Sequence, residues 1–106
     1  MPKYLVEARY TVEGTKGLVR EGGSGRRAAV ARTIESVGGK VEALYFAFGD
    51  VDVYVIVDVP DNVSAAAISL AANQSGAIVS KTIVLLTPEE MDKSVQKAVS
   101  FRPPGQ

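Results

Sequence analysis

A glycine-rich stretch followed by two arginines has the residue types of an anion site. It consists of Gly22, Gly23, Ser24, Gly25, Arg26 and Arg27. Backbone N–H groups at the start of a helix attract negative groups, and arginines beside them add positive charge. The stretch therefore predicts a site for a phosphate or a carboxylate. The alternative is that the glycines only break a helix and that the arginines are solvated.

The spacing of this stretch excludes two familiar nucleotide motifs. The pattern G-x-x-x-x-G-K-[ST] of phosphate-binding loops is missing, and so is G-x-G-x-x-G after a strand. We therefore expect a small anion rather than a nucleotide.

A carboxylate and a phenol two residues apart form the second candidate site. Asp52 and Tyr54 alternate along a predicted strand, so their side chains share a face about 7 Å apart. They could act as base and acid in an enolisation or a similar proton transfer. They could equally hydrogen-bond to Arg9 on a neighbouring strand or form a subunit contact. We expect no metal site here, because hard cations need several convergent oxygen atoms.

Composition excludes most other catalytic chemistry. The 106 residues include no histidine and no cysteine, so the commonest general base, thiolate nucleophiles and the usual zinc ligands are absent. Twelve basic and twelve acidic residues cancel, which argues against nucleic acid or an anionic membrane as partner. The start of the chain lacks the pattern of a secretory signal. We expect a cytoplasmic protein without a cofactor.

Hydrophobic periodicity predicts four strands and several helices. The strands are expected over 3–12, 40–48, 51–59 and 77–86. Helices are expected over 16–20, 26–37, 64–74 and 88–100, with a turn at Glu13-Gly14 and Thr15 as the first cap. Asn62 or Ser64 would cap the third helix, and Thr87-Pro88 opens the last one in a capping box.

This order predicts one α+β domain over residues 1–100, followed by a flexible tail over 101–106. It is the ferredoxin-like βαββαβ arrangement, with a four-stranded antiparallel sheet, the main helices on one face and a short C-terminal helix. Gly49-Asp50 is expected to form a tight hairpin turn, and Lys81 is expected on an edge strand. The valines at 51, 53, 55 and 57 should face the core.

The opposite face of this sheet is expected to be partly apolar and uncovered. We place on it Leu5, Glu42, Leu44, Phe46, Phe48, Asp52, Tyr54, Ile56 and Val84. An exposed patch of this kind is typical of an interaction surface. Pairing with a second copy about a two-fold axis would cover it, so we predict a homodimer or a larger assembly of dimers. The aromatic run Tyr45 to Phe48 could line a ligand pocket, or it could belong to the core and this interface.

Three stretches together resemble the GYD-domain family. They are YLVEARYTVEGTKGLVREGGSGRR, EALYFAFGDVDVYVIVDVPDN and LLTPEEM. The segment that matches the family's Gly-Tyr-Asp signature reads Gly49-Asp50-Val51-Asp52, with Val51 at the tyrosine position, so a hydroxyl role would need Tyr54. The family is similar to dimeric α/β-barrel proteins, and this implies a ferredoxin-like fold and an oligomer but no particular reaction.

Together these observations predict a protein that binds a small, anionic ligand between the sheet and the first helix. Arg9, Asp52 and Tyr54 would supply polar contacts, and the stretch from Gly22 to Arg27 would hold the negative group. Two alternatives stay open. One is a cofactor-free isomerase or monooxygenase-like enzyme that uses Asp52 and Tyr54 for proton transfer, and the other is a regulatory or assembly module without a ligand.

Overall fold

The computed structural model describes residues 1–106 as four strands and three helices. In chain order these are β1 (Lys3–Tyr10), α1 (Val12–Glu35), β2 (Lys40–Phe46), β3 (Val53–Asp58), α2 (Asn62–Gln74), β4 (Ile78–Leu85) and α3 (Pro88–Gln96). The strands form one antiparallel sheet in the order β2-β3-β1-β4. This confirms the ferredoxin-like α+β prediction and places Lys81 on an edge strand.

The two faces of the sheet differ because side chains alternate along each strand. On the helix-side face, Tyr4 and Ala8 of β1 pair with the buried valines of β3. Ile34 of α1 and Ala65 of α2 pack against them and complete the core. We call the other side the open face. The predicted core orientation of Val53, Val55 and Val57 is confirmed.

An irregularity in β2 changes which of its residues face the helices. The register shifts between Val41 and Ala43, so that Leu44 pairs with Val55 and Phe46 with Val53 on the helix-side face. The expectation that Leu44 and Phe46 lie on the open face is therefore wrong, and Tyr45 lies there instead. A β-bulge inserts one residue and inverts the alternation beyond it. Nothing in the residue types of KVEALYF marks the position of the bulge.

Val84 was also assigned to the wrong face. It pairs in register with Tyr4, on the helix-side face, whereas its neighbour Ile83 pairs with Leu5 on the open face. The apolar run at the end of β4 has no polar residue to distinguish the two sides. The sequence therefore does not show which residues of that run face the helices and which face the open side.

The first helix begins earlier than expected and continues past the glycine-rich stretch. Thr11, not Thr15, is its N-cap and accepts a hydrogen bond from the N–H of Gly14. The predicted turn at Glu13-Gly14 is wrong, because Gly14 lies inside the helix against the carbonyl oxygen of Ala77. A break does occur at Gly22, whose φ of 75° is left-handed and suits glycine. The two predicted helices are thus two halves of α1.

Other boundaries differ by a few residues. Residues 47–52 form a longer β2–β3 connection than the predicted two-residue turn. Asp61 caps α2 in place of Asn62 or Ser64. The capping box of Thr87 and Glu90 is confirmed, but α3 ends at Gln96 rather than near Ser100. None of the three helices has the length and apolar character that crossing a bilayer requires.

Two glycines of α1 should respond oppositely to alanine. A methyl group at Gly14 would overlap the Ala77 carbonyl, whereas at Gly17 the nearest atom would lie 4.0 Å away. We expect Gly17→Ala to raise the free energy of unfolding by about 0.5–1 kcal/mol through helix propensity. We expect Gly14→Ala to lower it by about 1–3 kcal/mol through overpacking. Urea denaturation of both variants tests this, and equal effects would contradict the close approach of α1 to the start of β4.

Candidate functional site

Two adjoining cavities open between the helix-side face and α1, and both are lined by Tyr10. The smaller has a volume of about 80 Å³ and mostly apolar walls, with Val30 and Ile34 from α1 and Val53 and Val55 from β3. The larger has a volume of about 360 Å³. Its lining includes Thr15, Leu18, Gly23, Phe46, Phe48 and Asp52. We refer to the two cavities together as the α1 cleft.

Arg26 is the only cationic side chain that lines the α1 cleft. Its Nη1 atom lies 3.5 Å from the carboxylate of Glu21, five residues earlier in α1. Its Nε atom is buried and donates to no partner. A buried donor without an acceptor costs about 1–3 kcal/mol, so an acceptor placed beside this N–H would be bound favourably.

Tyr10 links the cleft to the sheet. It is the last residue of β1, and its backbone N–H donates to the Asp52 carboxylate at 2.8 Å. Burial raises the pKa of the Tyr10 hydroxyl, and the positive charge of Arg26 opposes that rise. The carboxylates of Glu21 and Asp52 add smaller contributions in the raising direction. Tyr10 is therefore a neutral phenol beside a guanidinium at ordinary pH.

The glycine-rich stretch reaches the cleft at only two of its six residues. Gly23 lines the larger cavity and packs against the ring of Phe46, and Arg26 lines the smaller one. The other members line neither cavity. These are Gly22, Ser24, Gly25 and Arg27. Ser24 and Arg27 are exposed, so the structure brings Arg26 to the cleft and leaves its neighbour in solvent.

Asp52 and Tyr54 do not converge. Asp52 precedes β3, and its carboxylate turns to the end of β1, where it accepts from Tyr10. Tyr54 lies within β3 on the open face, between Tyr45 and Glu7 of the flanking strands. The assumed common face is wrong because the chain is not extended in strand geometry at position 52.

Arg9 also lies away from α1. Together with Lys81, Glu7, Asp50 and Val51 it lines a separate depression of about 290 Å³ on the open face. A second charged group on that face is Lys3, which binds Asp58 and Glu42 at 2.8 and 2.7 Å. Of the sequence-predicted contacts, Arg26, Gly23 and Asp52 therefore reach the cleft, while Arg9 and Tyr54 do not.

Two polar residues at the cleft were not predicted from the sequence: Tyr10 lines it, and Glu21 lies beside Arg26. Tyr10 shares one side of β1 with Tyr4 and Ala8, so alternation does not distinguish it from the core. The spacing of Glu21 and Arg26 is five residues, which a continuous helix would not bring together on one face. The break at Gly22 between them changes that geometry. A charged pair on either side of a double glycine was the available signal.

The raised pKa of Tyr10 gives a testable pH dependence. The unfolded chain loses its tyrosine protons near pH 10, while Tyr10 in the folded protein holds its proton to higher pH. Its stabilising contribution is therefore present below about pH 10 and is lost as the pH rises through the folded pKa. We expect the unmodified protein to lose more stability over this range than Tyr10→Phe in urea denaturation. Parallel pH profiles would contradict the burial of this hydroxyl.

Comparison with known families agrees with the fold. A family model described as the GYD domain matches residues 4–95, from the beginning of β1 into α3. A comparison with curated proteins gives no match. The matched region contains the whole α1 cleft, and it includes Gly49 and Asp52 of the signature segment. The resemblance seen in the sequence is confirmed, and the chain belongs to the GYD-domain family.

Proposed function

We propose that the protein binds a small molecule with an apolar body and one negatively charged group in the α1 cleft. The observation that carries the proposal is the buried Nε–H of Arg26, which has no acceptor. A carboxylate beside it would satisfy this donor and accept a charge-assisted hydrogen bond.

The charges around Arg26 favour a ligand with one negative charge over a ligand with two or more. Glu21 lies 3.5 Å from Nη1 and already neutralises part of the guanidinium. Asp52 and Glu21 would repel a dianion or a phosphate ester. A monocarboxylate needs only the free side of the fork-shaped guanidinium, which carries five N–H donors. This favours a carboxylate over the phosphate that the glycine-rich stretch also suggested.

The walls of the cleft suit an apolar or aromatic body. Val30, Ile34 and Val55 line the smaller cavity, and Leu18 and Phe46 line the larger one. Burial of apolar surface contributes about 25 cal/mol per Å², so these walls can supply binding free energy without further polar contacts. The Tyr10 hydroxyl, shared by both cavities, can donate a hydrogen bond to a polar substituent.

The geometry favours binding over the two alternatives. A proton-transfer enzyme that uses Asp52 and Tyr54 would need both groups on one substrate, and they lie at different sites. A module without a ligand would leave the Arg26 donor unsatisfied. Binding is the one function of the three that uses the cleft as it stands.

We also propose that two copies pair through their open faces. This face presents exposed Tyr45, Tyr54, Val79 and Ile83, and the charged Lys3 cluster lies at one end of it. Large apolar side chains in a contiguous patch favour removal from water. Self-pairing about a two-fold axis needs one patch only, and it leaves the α1 cleft on the outside of each subunit.

Arginine variants test the ligand proposal. Arg26→Ala should weaken binding of benzoate at least about tenfold, since a hydrogen bond to a charged group contributes about 1.5–3 kcal/mol. Arg27→Ala is the matched control, because it removes the same charge from an exposed neighbour. Titrations followed by amide chemical shifts in NMR give both affinities.

A neutral probe separates the charge from the apolar walls. Benzyl alcohol should bind to the unmodified protein more weakly than benzoate does. Its affinity for Arg26→Ala and for the unmodified protein should be about equal. Equal benzoate affinities of the two arginine variants would overturn the assignment of Arg26. If benzoate changed the chemical shifts of open-face amides only, the cleft would not be its binding site.

Two neighbouring β4 residues test the pairing. Ile83 is 42% exposed on the open face, and Val84 is 57% exposed on the helix-side face. Ile83→Lys would place an unpaired charge in the interface and should raise the dimer Kd at least about tenfold, whereas Val84→Lys should leave it unchanged. Sedimentation velocity measures both. A protein that stays monomeric at micromolar concentration would contradict the pairing.

A further inference from the structure

A charged depression lies on the open face, at the end of β1 opposite to Lys3. Its volume is about 290 Å³. It shares no lining residue with the α1 cleft. We call it the β1–β4 depression, and two cations, two anions and two valines line it: Glu7, Arg9, Asp50, Val51, Val79 and Lys81.

The pairing of β1 with β4 brings charges of both signs to this place. Glu7 lies directly opposite Lys81, and Arg9 lies opposite Val79. Residues two apart on a strand share a face, so these four side chains share the open face. Residues directly opposite have Cβ atoms about 4.5–5.5 Å apart, and diagonal neighbours lie about 7–8 Å apart. Arg9 and Lys81 are a diagonal pair, so one small anionic group between them can contact both.

The remaining wall is the β2–β3 connection, which is fixed beside the end of β1. The Asp52 N–H donates to the carbonyl oxygen of Ala8 at 2.9 Å. The Asp52 carboxylate accepts from the N–H of Tyr10 at 2.8 Å. Asp50 and Val51 directly precede this anchored residue and are therefore held at the end of β1.

The four charged side chains of the depression form no ion pairs. Every N–O contact of 4.0 Å or less between charged groups of the protein involves other residues. At the other end of the same face, Lys3 binds two carboxylates at 2.7 and 2.8 Å. Both cations and both carboxylates of the depression consequently keep their hydrogen-bonding capacity for a ligand.

The balance of charge in the depression selects the class of ligand. A simple anion bound to Arg9 and Lys81 would be repelled by Glu7 and Asp50, and a simple cation would be repelled by the two basic residues. A molecule with one charge of each sign can use both pairs. Hydrogen bonds between ionised groups are about twice as strong as neutral ones, and a guanidinium can bind a carboxylate in a bidentate manner.

The size and the apolar walls narrow the class further. Pockets for drug-sized ligands have volumes of about 300–1,000 Å³, so a depression of about 290 Å³ suits a smaller molecule. Val51 and Val79 supply its apolar lining. This combination favours a short aliphatic group on the same molecule as the two charges.

We infer that the β1–β4 depression binds a free α-amino acid with a small aliphatic side chain. Arg9 and Lys81 bind its carboxylate, and Glu7 and Asp50 bind its ammonium group. The inference rests neither on Arg26 nor on the pairing of open faces, so the failure of either proposal does not affect it.

Three ligands with one carbon skeleton test the need for both charges. L-Valine carries both, isovalerate lacks the ammonium group, and isobutylamine lacks the carboxylate. In NMR titrations of the ¹⁵N protein, L-valine should shift the amides that surround the depression. It should bind there at least about tenfold more tightly than the other two, because each of them lacks one charged contact. Equal affinities of the three ligands at these amides, or no shift of these amides with L-valine, would overturn the inference.

Substitutions of each sign test the assigned contacts. Arg9→Gln and Glu7→Gln should each weaken L-valine binding at least about tenfold, because each removes a partner of one end of the ligand. Arg32→Gln and Glu35→Gln are the matched controls, since these exposed residues of α1 line neither the depression nor the α1 cleft. If both β1 variants bound L-valine as tightly as the controls do, the assignment would be wrong.

Benzoate distinguishes this site from the α1 cleft. Arg9→Gln should leave the benzoate affinity of the cleft unchanged, and Arg26→Ala should leave the L-valine affinity of the depression unchanged. Loss of L-valine binding in Arg26→Ala but not in Arg9→Gln would place the amino acid in the cleft and overturn the inference.

Discussion

The end of β1 is the point on which the cleft depends. The Tyr10 backbone N–H donates to Asp52 ahead of β3, and Thr11 donates to Ala77 and Gly76 ahead of β4. Thr11 also caps α1. One dipeptide thereby joins both neighbours of the central strand to the first helix. The position of Arg26 over the sheet depends on this fixed start of α1 and on the separate break at Gly22.

Each face of the sheet leaves a different kind of group without a partner. On the helix-side face, the core is apolar and complete, apart from the buried Arg26 donor at the α1 cleft. On the open face, apolar side chains and charged clusters lie in solvent. In the proposals made above, a small acceptor would bind at Arg26 and a second copy would cover the open face. Ligand binding and assembly would then use opposite sides of one sheet.

The fold could be predicted from the sequence, because β3 alternates clearly and Thr87-Pro88 marks a helix start. The site could be predicted only in part. Arg26 was identified by its position after the glycines, but Arg9 and Tyr54 were expected in the cleft, whereas both lie on the open face. The bulge in β2 and the turn of Asp52 out of the strand have no local signature. Tyr10 could not be predicted, since alternation puts it on the same side of β1 as the core residues Tyr4 and Ala8.

The most direct test of the account observes the Arg26 side chain itself. The ¹⁵Nε–¹Hε resonance of each arginine can be followed in NMR while benzoate is added. The account predicts a large shift of the Arg26 resonance, with slower exchange of its Nε proton, and no change at Arg27. An unchanged Arg26 resonance at a benzoate concentration that saturates the amide shifts would contradict the cleft as the site of the anion.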